Sequence, residues 1–378
     1  MISVRVNRKA AARVASGHPW IFASDVTGRG GAAPGDTVAV IDPRGQSLGQ
    51  AHYSSTSQIT LRMLAEPLPE AIARAADFRE ALAAQTSAYR VVHAEGDRLP
   101  GLIVDRYGDC LVVQMLSQAM DRAREEIADV LERRFAPRAI VARNDAAVRK
   151  LESLPMEKSV LRGSVTGPVT VTMNGLEWLV DLIEGQKTGV YLDQRENYVA
   201  ASAHAHGRGL DCFTSTGGFA LHLASRCQSV EAIDSSAGAL ETARRNAAAN
   251  RIGNVEFRQA DVFEQLTAFS HARRRFDTVV VDPPAFAKSR SAVEGALRGY
   301  RDINFRALQL LNRGGVLVTC SCSHHVSEGA LLELIAQASL EAGKTLRVLE
   351  RRTQAGDHPI LLTVPETHYL KCVILQAI

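Results

Sequence analysis

Gly209-Leu-Asp-Cys-Phe-Thr-Ser-Thr-Gly-Gly-Phe219 is a short run that starts apolar, carries an acid, and breaks into a glycine turn. The pattern reads as a strand, a tight loop and a helix beginning near Gly218. Working outward, the same grammar recurs. Ser229-Val-Glu-Ala-Ile-Asp234 precedes an Ala-rich helix with Ser235 or Ser236 as N-cap and Gly253 as C-cap. Val255-Glu-Phe-Arg-Gln259 comes next. Then Phe276-Asp-Thr-Val-Val-Val281 runs into Asp282, and Gly315-Val-Leu-Val-Thr319 runs into Cys320. Strands and helices alternating over this length predict an α/β fold, a parallel sheet covered by helices on both faces. Ile360-Leu-Leu-Thr-Val364 and Tyr369-Leu-Lys-Cys-Val-Ile374, around Pro365-Glu-Thr-His368, predict a closing hairpin.

Two stretches of different texture precede this region of residues 176–378. Residues 1–70 hold short β-type runs, Thr37-Val-Ala-Val-Ile41 and Gln58-Ile-Thr-Leu-Arg62, separated by turn signals such as Pro34-Gly-Asp36 and Asp42-Pro-Arg-Gly45. They predict a small β-barrel or compact sheet, closed by a linker at Glu66-Pro-Leu-Pro-Glu70. Residues 71–175 predict an α+β module. It has an Ala-rich helix from Ala71 to Thr86, strands at Leu102-Ile-Val-Asp105 and Cys110-Leu-Val-Val-Gln114, a helix from Asp121 to about Phe135 and a strand at Ala139-Ile-Val-Ala142.

The 378 residues are 46% apolar and 22% charged, a composition with enough core-forming side chains to exclude a disordered chain. The net charge of +3 neither demands nor forbids a nucleic-acid partner, because a local basic face can hide in a balanced total. Met1-Ile-Ser-Val-Arg5 is not a secretory signal, and no apolar run approaches the ~20 residues of a membrane span. Six cysteines, at 110, 212, 227, 320, 322 and 372, form no C-x-x-C pair, so neither a zinc site nor a disulfide framework is expected. His204, His206, His324 and His325 have no metal-ligand spacing either. Free thiols without a signal peptide fit a reducing cytoplasm.

Ligands of open parallel sheets bind beyond the carboxyl ends of the strands, so the residues there carry the functional reading. Past the first strand, Asp211, Phe213, Thr216, Gly217 and Gly218 form a loop whose glycines let the backbone approach a ligand and whose following helix start favours an anion. Past the second come Asp234 and Ser235, an acidic end suited to ribose hydroxyls. Past the third, Asp261 and Val262 offer a carboxylate and an apolar contact for adenine. The order of glycine turn, acid, acid and Asp-Pro-Pro points to S-adenosylmethionine, with its methionyl carboxylate on the glycine loop. G-x-G-x-x-G is absent after the first strand, which argues against a dinucleotide oxidoreductase.

Two further motifs carry chemistry. Asp282-Pro-Pro-Ala-Phe286 is a stiff loop in which Asp282 can hydrogen-bond a base edge and Phe286 can stack on a base. Cys320 and Cys322 flank Ser321 beyond the fifth strand. Cytosine C5 is not nucleophilic until something adds at C6, and a cysteine thiolate does this in covalent catalysis. Which of the two cysteines attacks stays open on these grounds.

With these residues in hand, the chain resembles the ribosomal RNA large subunit methyltransferase I family, bacterial enzymes that make 5-methylcytosine in 23S rRNA. Gly17-His-Pro-Trp-Ile-Phe22, preceded by Arg8, Lys9 and Arg13, resembles the opening of that family's PUA RNA-binding domain. Gly185-Gln-Lys-Thr-Gly-Val-Tyr-Leu-Asp-Gln-Arg195, Phe213-Thr-Ser-Thr-Gly-Gly-Phe219, Asp282-Pro-Pro-Ala-Phe286 and Gly299-Tyr-Arg-Asp-Ile-Asn304 resemble its later blocks. The resemblance implies a seven-stranded, mostly parallel class I Rossmann-like methyltransferase domain behind a PUA domain and a central α+β domain. It also implies a 23S rRNA substrate and a homodimer. By position it makes Cys322 of Ser321-Cys-Ser323 the nucleophile, although Thr319-Cys-Ser321 fits the Thr-Cys-Ser motif of other cytosine-C5 RNA methyltransferases. The Pro-Cys that many of those enzymes carry is missing, since Ala285 follows Pro284.

The remaining site residues follow from charge and shape. Lys187 and Arg195 can meet RNA phosphate or the cofactor carboxylate, and Tyr191 can pack on the adenosyl group. Lys288 and Arg290 border the expected target pocket. Two other readings stay open: guanine N2 methylation through the Asp-Pro-Pro-Ala-Phe loop without a covalent step, and a non-catalytic rRNA-binding assembly factor.

Overall fold

The computed structural model describes residues 1–185, 188–286 and 292–378. The chain divides into two compact units. One comprises Met1–Met173, Val180–Leu192 and Gly356–Thr367. The other comprises Asn174–Leu179, Asp193–Ala355 and His368–Ile378.

The second unit is built on seven strands: β1 (Arg208–Cys212), β2 (Ser229–Asp234), β3 (Val255–Gln259), β4 (Phe276–Val281), β5 (Leu311–Ser321), β6 (Leu346–Arg352) and β7 (Lys371–Ala377). Their spatial order is β3-β2-β1-β4-β5-β7-β6. Strands β1 to β5 run parallel, and β7 is antiparallel to both its neighbours. The order reverses between β1 and β4, which opens a crevice at their carboxyl ends. Register levels the loops that follow: Ile233 sits beside Cys212, Cys212 beside Val281, and Val281 beside Thr319. Asp234, Phe213, Asp282 and Cys320, each the next residue along, therefore stand in one row across the sheet edge.

Helices α1 (Arg195–His204), α2 (Gly218–Leu223), α3 (Ala237–Ala249), α4 (Val262–His271), α5 (Val293–Leu310) and α6 (Glu328–Glu341) accompany the sheet. Ser236 caps α3 and Ser327 caps α6 by accepting backbone N–H bonds at 3.2 Å. The core cluster combines Leu210, Val279, Val281 and Leu317 of the strands with Tyr300, Ile303, Leu331 and Ile335 of the helices.

Two expectations are corrected here. The Ala-rich helix ends with Asn250 as C-cap, three residues before Gly253. The closing hairpin pairs β7 with β6, not with Ile360–Val364. Pro359 and Pro365 bracket that apolar run and withhold ladder donors, so it makes only an isolated Leu361–Val364 bridge. Its replacement, Leu346–Arg352, is a charge-rich edge strand with three of its seven residues exposed and none buried, which hides it from an apolar-run search.

The first unit holds two sheets. One has six strands in the order Trp20–Phe22, Ile59–Met63, Ser47–Tyr53, Thr37–Ile41, Ser3–Val6 and Val26–Gly28, around a core of Val4, Val6, Ile21, Val38, Val40 and Leu61. The other has five, in the order Glu157–Gly163, Ala139–Asn144, Cys110–Met115, Leu102–Tyr107 and Ala88–His93. The expected linker at 66–70 instead begins a helix, Leu68–Phe78, with Pro69 in its first turn, where a missing N–H costs nothing.

A charged network lies buried in this unit. Arg79, 1% exposed, donates to both carboxylate oxygens of Asp97 at 2.7 and 2.8 Å and to the Asp357 carbonyl at 2.7 Å. Arg90 makes a second forked pair with Asp105 at 2.8 and 2.9 Å. The Arg90 backbone N–H donates to the Asp357 carboxylate at 2.8 Å. Among the described residues no helix is long and apolar enough to cross a membrane.

Candidate active site

The loop after β1 is held in a backbone shape that ordinary residues avoid. Phe213 and Ser215 have φ of +65° and +50°, and Gly217 has +94°. Such strain persists only where surrounding bonds enforce it. Here Thr214 Oγ1 and the Ala220 N–H donate to Asp211 Oδ2 at 2.6 and 2.9 Å. The Ser215 N–H donates to Asp234 Oδ2 at 2.9 Å, and Asn246 Nδ2 donates to the Thr216 carbonyl at 3.1 Å. Two buried atoms, Asp211 Oδ1 in β1 and Ser215 Oγ in the loop, have no hydrogen-bond partner among the described residues.

Gly218 has a packing reason of its own. A Cβ there would lie 2.5 Å from the Tyr198 ring. Tyr198 in turn packs on His222, whose ring stacks 6.0 Å from Trp178. His222 Nδ1 donates to the Gly218 carbonyl at 2.7 Å, and burial pushes its pKa down to about 4, so it is a neutral structural ring. The helix α2 that follows has only six residues. Close backbone approach and the two orphaned oxygens therefore define this corner more than any helix dipole.

Acidity concentrates along the same edge. Burial raises the Asp211 carboxyl to about 7, and the negative charges of Asp282 and Asp234 add to the rise. Asp282 accepts a hydrogen bond from Gln194 Nε2 at 2.9 Å, while Asn197 Nδ2 donates to Gln194 Oε1 at 2.7 Å. Phe286 packs on Tyr300 at 4.7 Å between ring centres, and a Cβ on Gly299 would come within 3.3 Å of it. Phe263 continues the aromatic row, 6.3 Å from Phe286 and 6.5 Å from Phe213.

The two cysteines differ sharply. Cys320 is 0% exposed, lies opposite Cys372 in the β5–β7 ladder, and is pushed well above the usual thiol range by burial and by its neighbours Cys372 and Asp282. Cys322 lies just past the end of β5, where the chain leaves the sheet, and is partly exposed. Around it, Tyr300 Oη and Ser323 Oγ are 3.0 Å apart, and Lys371 Nζ donates to the Ser323 carbonyl at 2.7 Å.

Comparison with known proteins fits this geometry. The PUA-like domain family matches residues 4–66, and the S-adenosylmethionine-dependent methyltransferase family matches residues 133–371. A Shewanella amazonensis protein named Ribosomal RNA large subunit methyltransferase I is 40% identical over 376 residues, 95% of each chain. The chain belongs to the ribosomal RNA large subunit methyltransferase I family. A Klebsiella pneumoniae relative of the same name is 39% identical, covering 94% of this chain and 93% of its own. A methyltransferase crystal structure complexed with SAH aligns over 100% of both chains with a TM-score of 0.86 at 18% identity, which supports the fold. An S-adenosylmethionine-dependent methyltransferase from Streptococcus mutans aligns likewise, with a TM-score of 0.85 at 18% identity. As a member of this family the chain is an S-adenosylmethionine-dependent methyltransferase, with a PUA-like N-terminal domain and a doubly wound catalytic sheet.

The site residues expected from the sequence fall into three groups. Asp211, Phe213, Thr216, Gly217, Gly218, Asp234, Asp282 and Cys322 converge on the crevice edge. Ser235, exposed there, lends its carbonyl to Gln259 Nε2 at 3.2 Å. Asp261 Oδ1 caps α4 by accepting the Glu264 N–H at 3.0 Å, and Val262 is 2% exposed in the core, so both serve the fold first.

Four candidates are set apart by burial or pairing. Cys320 is sealed inside the sheet, and Arg195, expected to meet RNA phosphate or the cofactor carboxylate, is 6% exposed. Arg13 spends its guanidinium on Asp25 at 3.0 Å and over the Phe22 ring, whereas Arg8 and Lys9 on the same helix, Arg8–Ala15, are exposed. Phe286 is partly covered by its aromatic neighbours rather than standing free.

Tyr191 belongs to the first unit, and Lys187, Lys288 and Arg290 lie outside the described residues. Sequence reading missed Gln194, Tyr198, Tyr300 and Lys371. Gln194 and Tyr300 sat inside quoted blocks without a distinguishing signal, and Lys371 looked like one more strand residue. Among the described residues no group of three or more His, Cys, Asp or Glu side chains could hold a metal.

Proposed function

We propose that this methyltransferase transfers a methyl group to C5 of a cytosine in 23S rRNA through a covalent bond between Cys322 and C6. The observation that carries the reading is the contrast at the end of β5. A partly exposed thiol stands just past the end of β5, and the rival thiol two residues earlier is buried. The names of the curated relatives support an rRNA acceptor. The PUA-like domain, with Arg8 and Lys9 exposed on its first helix, supports an RNA grip.

S-adenosylmethionine fits the loop after β1. The ligand carries an ammonium and a sulfonium, and it meets an edge where Asp211, Asp234 and Asp282 crowd negative charge and where Asp211 Oδ1 and Ser215 Oγ await partners. When bound it supplies an electrophilic methyl carbon. The chain's own residues do the rest. Asp234 orients a ribose, the glycine loop brings backbone close, and Asp282, held by Gln194, fixes the base edge. The Cys322 thiolate gives its electron pair to C6 and the C5=C6 pair moves to C5, which becomes the nucleophile for the methyl. Loss of the C5 proton restores the double bond and expels the thiolate.

A 23S rRNA transcript containing 5-fluorocytosine tests this. Fluorine cannot leave as a proton does, so a protein–RNA adduct dependent on S-adenosylmethionine and stable to denaturing electrophoresis is expected. Absence of any adduct, with the methyl group found on a guanine amine, overturns the reading in favour of direct N2 transfer. Adduct mapping would also identify the target nucleotide.

A second expectation concerns pH. A cationic ligand favours ionised Asp211, so binding releases a proton when the free carboxyl titrates near 7. Affinity for S-adenosylmethionine should weaken toward about tenfold per pH unit below that value. Calorimetry at pH 6 and pH 8 in buffers of different ionisation enthalpy reads both effects. A flat affinity across that range would remove Asp211 from the cofactor site.

A further inference from the structure

We propose that Lys371 is the positioning residue that holds Cys322 as a thiolate, its buried ammonium serving as counter-ion to the sulfur. The inference rests on the reading of Cys322 as the attacking group.

Lys371 opens β7 and stands opposite Ser321, the last residue of β5. Its side chain turns inward, and the residue is 3% exposed. Nζ donates to the Ser323 carbonyl at 2.7 Å and to the Tyr369 carbonyl at 2.8 Å. The first of these acceptors is the residue directly after Cys322, so the ammonium is fastened to the very turn that carries the thiol. Two neutral carbonyls do not cancel a buried charge. The cost shows in the lysine itself, which burial drags down to about 8 while the negative charges of Cys322 and Glu328 pull the other way. Glu328 is already paired with Arg351. Of these two anions, Cys322 is the one on the turn that the ammonium holds.

The reciprocal effect is chemical. A positive charge beside a thiol lowers the thiol's pKa, and the thiolate is the nucleophile. Other charged or titratable groups surround the turn. They are Tyr300 from α5, Glu328 with Arg351, Asp282 past β4, and His324, whose ring lies 5.6 Å from that of Tyr369, itself bonded to Asp193 at 2.8 Å. The acids and phenols would raise the thiol. Arg351 is spent on Glu328, and Lys371 is a cation fastened to the turn that carries the thiol, through the Ser323 carbonyl.

The test is the pH profile of iodoacetamide alkylation at Cys322 in the intact protein without RNA, read by peptide mass spectrometry; the other five cysteines are buried. Lys371→Gln keeps an N–H donor for the carbonyls and removes the charge. We expect its profile to move up by at least one pH unit, with alkylation at pH 7 slowed about tenfold or more. Methyl transfer should fall in parallel at pH 7 and recover toward pH 9, with the KM for S-adenosylmethionine unchanged. Lys371→Arg, which keeps the charge, should retain the low-pH profile, and it serves as the second variant if the glutamine protein does not fold. Overlapping profiles for wild type and Lys371→Gln, or an arginine variant whose profile rises, would overturn the proposal. Alkylation does not depend on methyl transfer, so a shifted profile in a protein whose Cys322 proves dispensable would sink the nucleophile assignment and leave the ion pair standing.

Discussion

Replacing Cys322 with alanine is expected to cut methyl transfer to 23S rRNA by about a thousandfold or more, while S-adenosylmethionine binds as before. The size of the effect follows from the chemistry. C5 of cytosine has no nucleophilic character until C6 is attacked, so removing the attacking sulfur removes the route rather than slowing one step of it. Cofactor binding should survive because the loop from Phe213 to Gly218 is braced by its own bonds to Asp211, Asp234 and Asn246. Cys320→Ala is the matched control. It deletes a buried sulfur beside Cys372 and should cost stability, on the order of 1 kcal/mol, yet leave methylation near wild type. Tritium transfer from labelled cofactor, with calorimetric binding on the same samples, reads both variants. Full activity in Cys322→Ala, or a dead Cys320→Ala that still binds cofactor, would reverse the assignment.

The second large effect lies far from the chemistry in kind. Arg79→Ala should destabilise the first unit by roughly 3–5 kcal/mol, because it strands the Asp97 carboxylate, 4% exposed, without its forked partner. It also removes the Arg79 hydrogen bond to the Asp357 carbonyl. Arg79→Met combined with Asp97→Leu removes both charges together and should cost much less than the single change, since the expensive species is a lone buried charge. Urea denaturation of the three proteins measures the difference. A single variant no less stable than the double one would show that the network is solvated in a way its burial does not suggest.

The catalytic sheet was legible because its signals are local. A glycine turn after an apolar run, an acid closing the next run and Asp282-Pro-Pro are each set by a few adjacent residues, and the parallel sheet brings such strand ends together. Ser236 as a cap was readable for the same reason. What escaped depends on meetings across the chain. Gly218 looks like a ligand-approach glycine, and only the fold reveals that the Tyr198 ring occupies the space its side chain would need. Lys371 and Cys322 are far apart in sequence, and their proximity comes from an antiparallel β7 slotted between β5 and β6. That slotting was misread, because the charge-rich Leu346–Arg352 does not resemble a strand while the apolar Ile360–Val364 does. Arg195 and Arg13 show the converse limit. A cation's type is visible in sequence, and its burial or its pairing with a distant acid is not.

The allocation of residues 356–367 to the first unit, between two segments of the second, has a consequence for anyone dividing the gene. The polypeptide passes from one unit to the other five times, at 173/174, 179/180, 192/193, 355/356 and 367/368. No single cut yields either part whole. A fragment stopping near 192 would lack Asp357 and with it an anchor of Arg79, and a fragment starting there would lack Trp178, which stacks on His222. Grafting this catalytic sheet onto another RNA-binding platform is therefore a problem of exchanging several threads at once, closer to darning than to splicing.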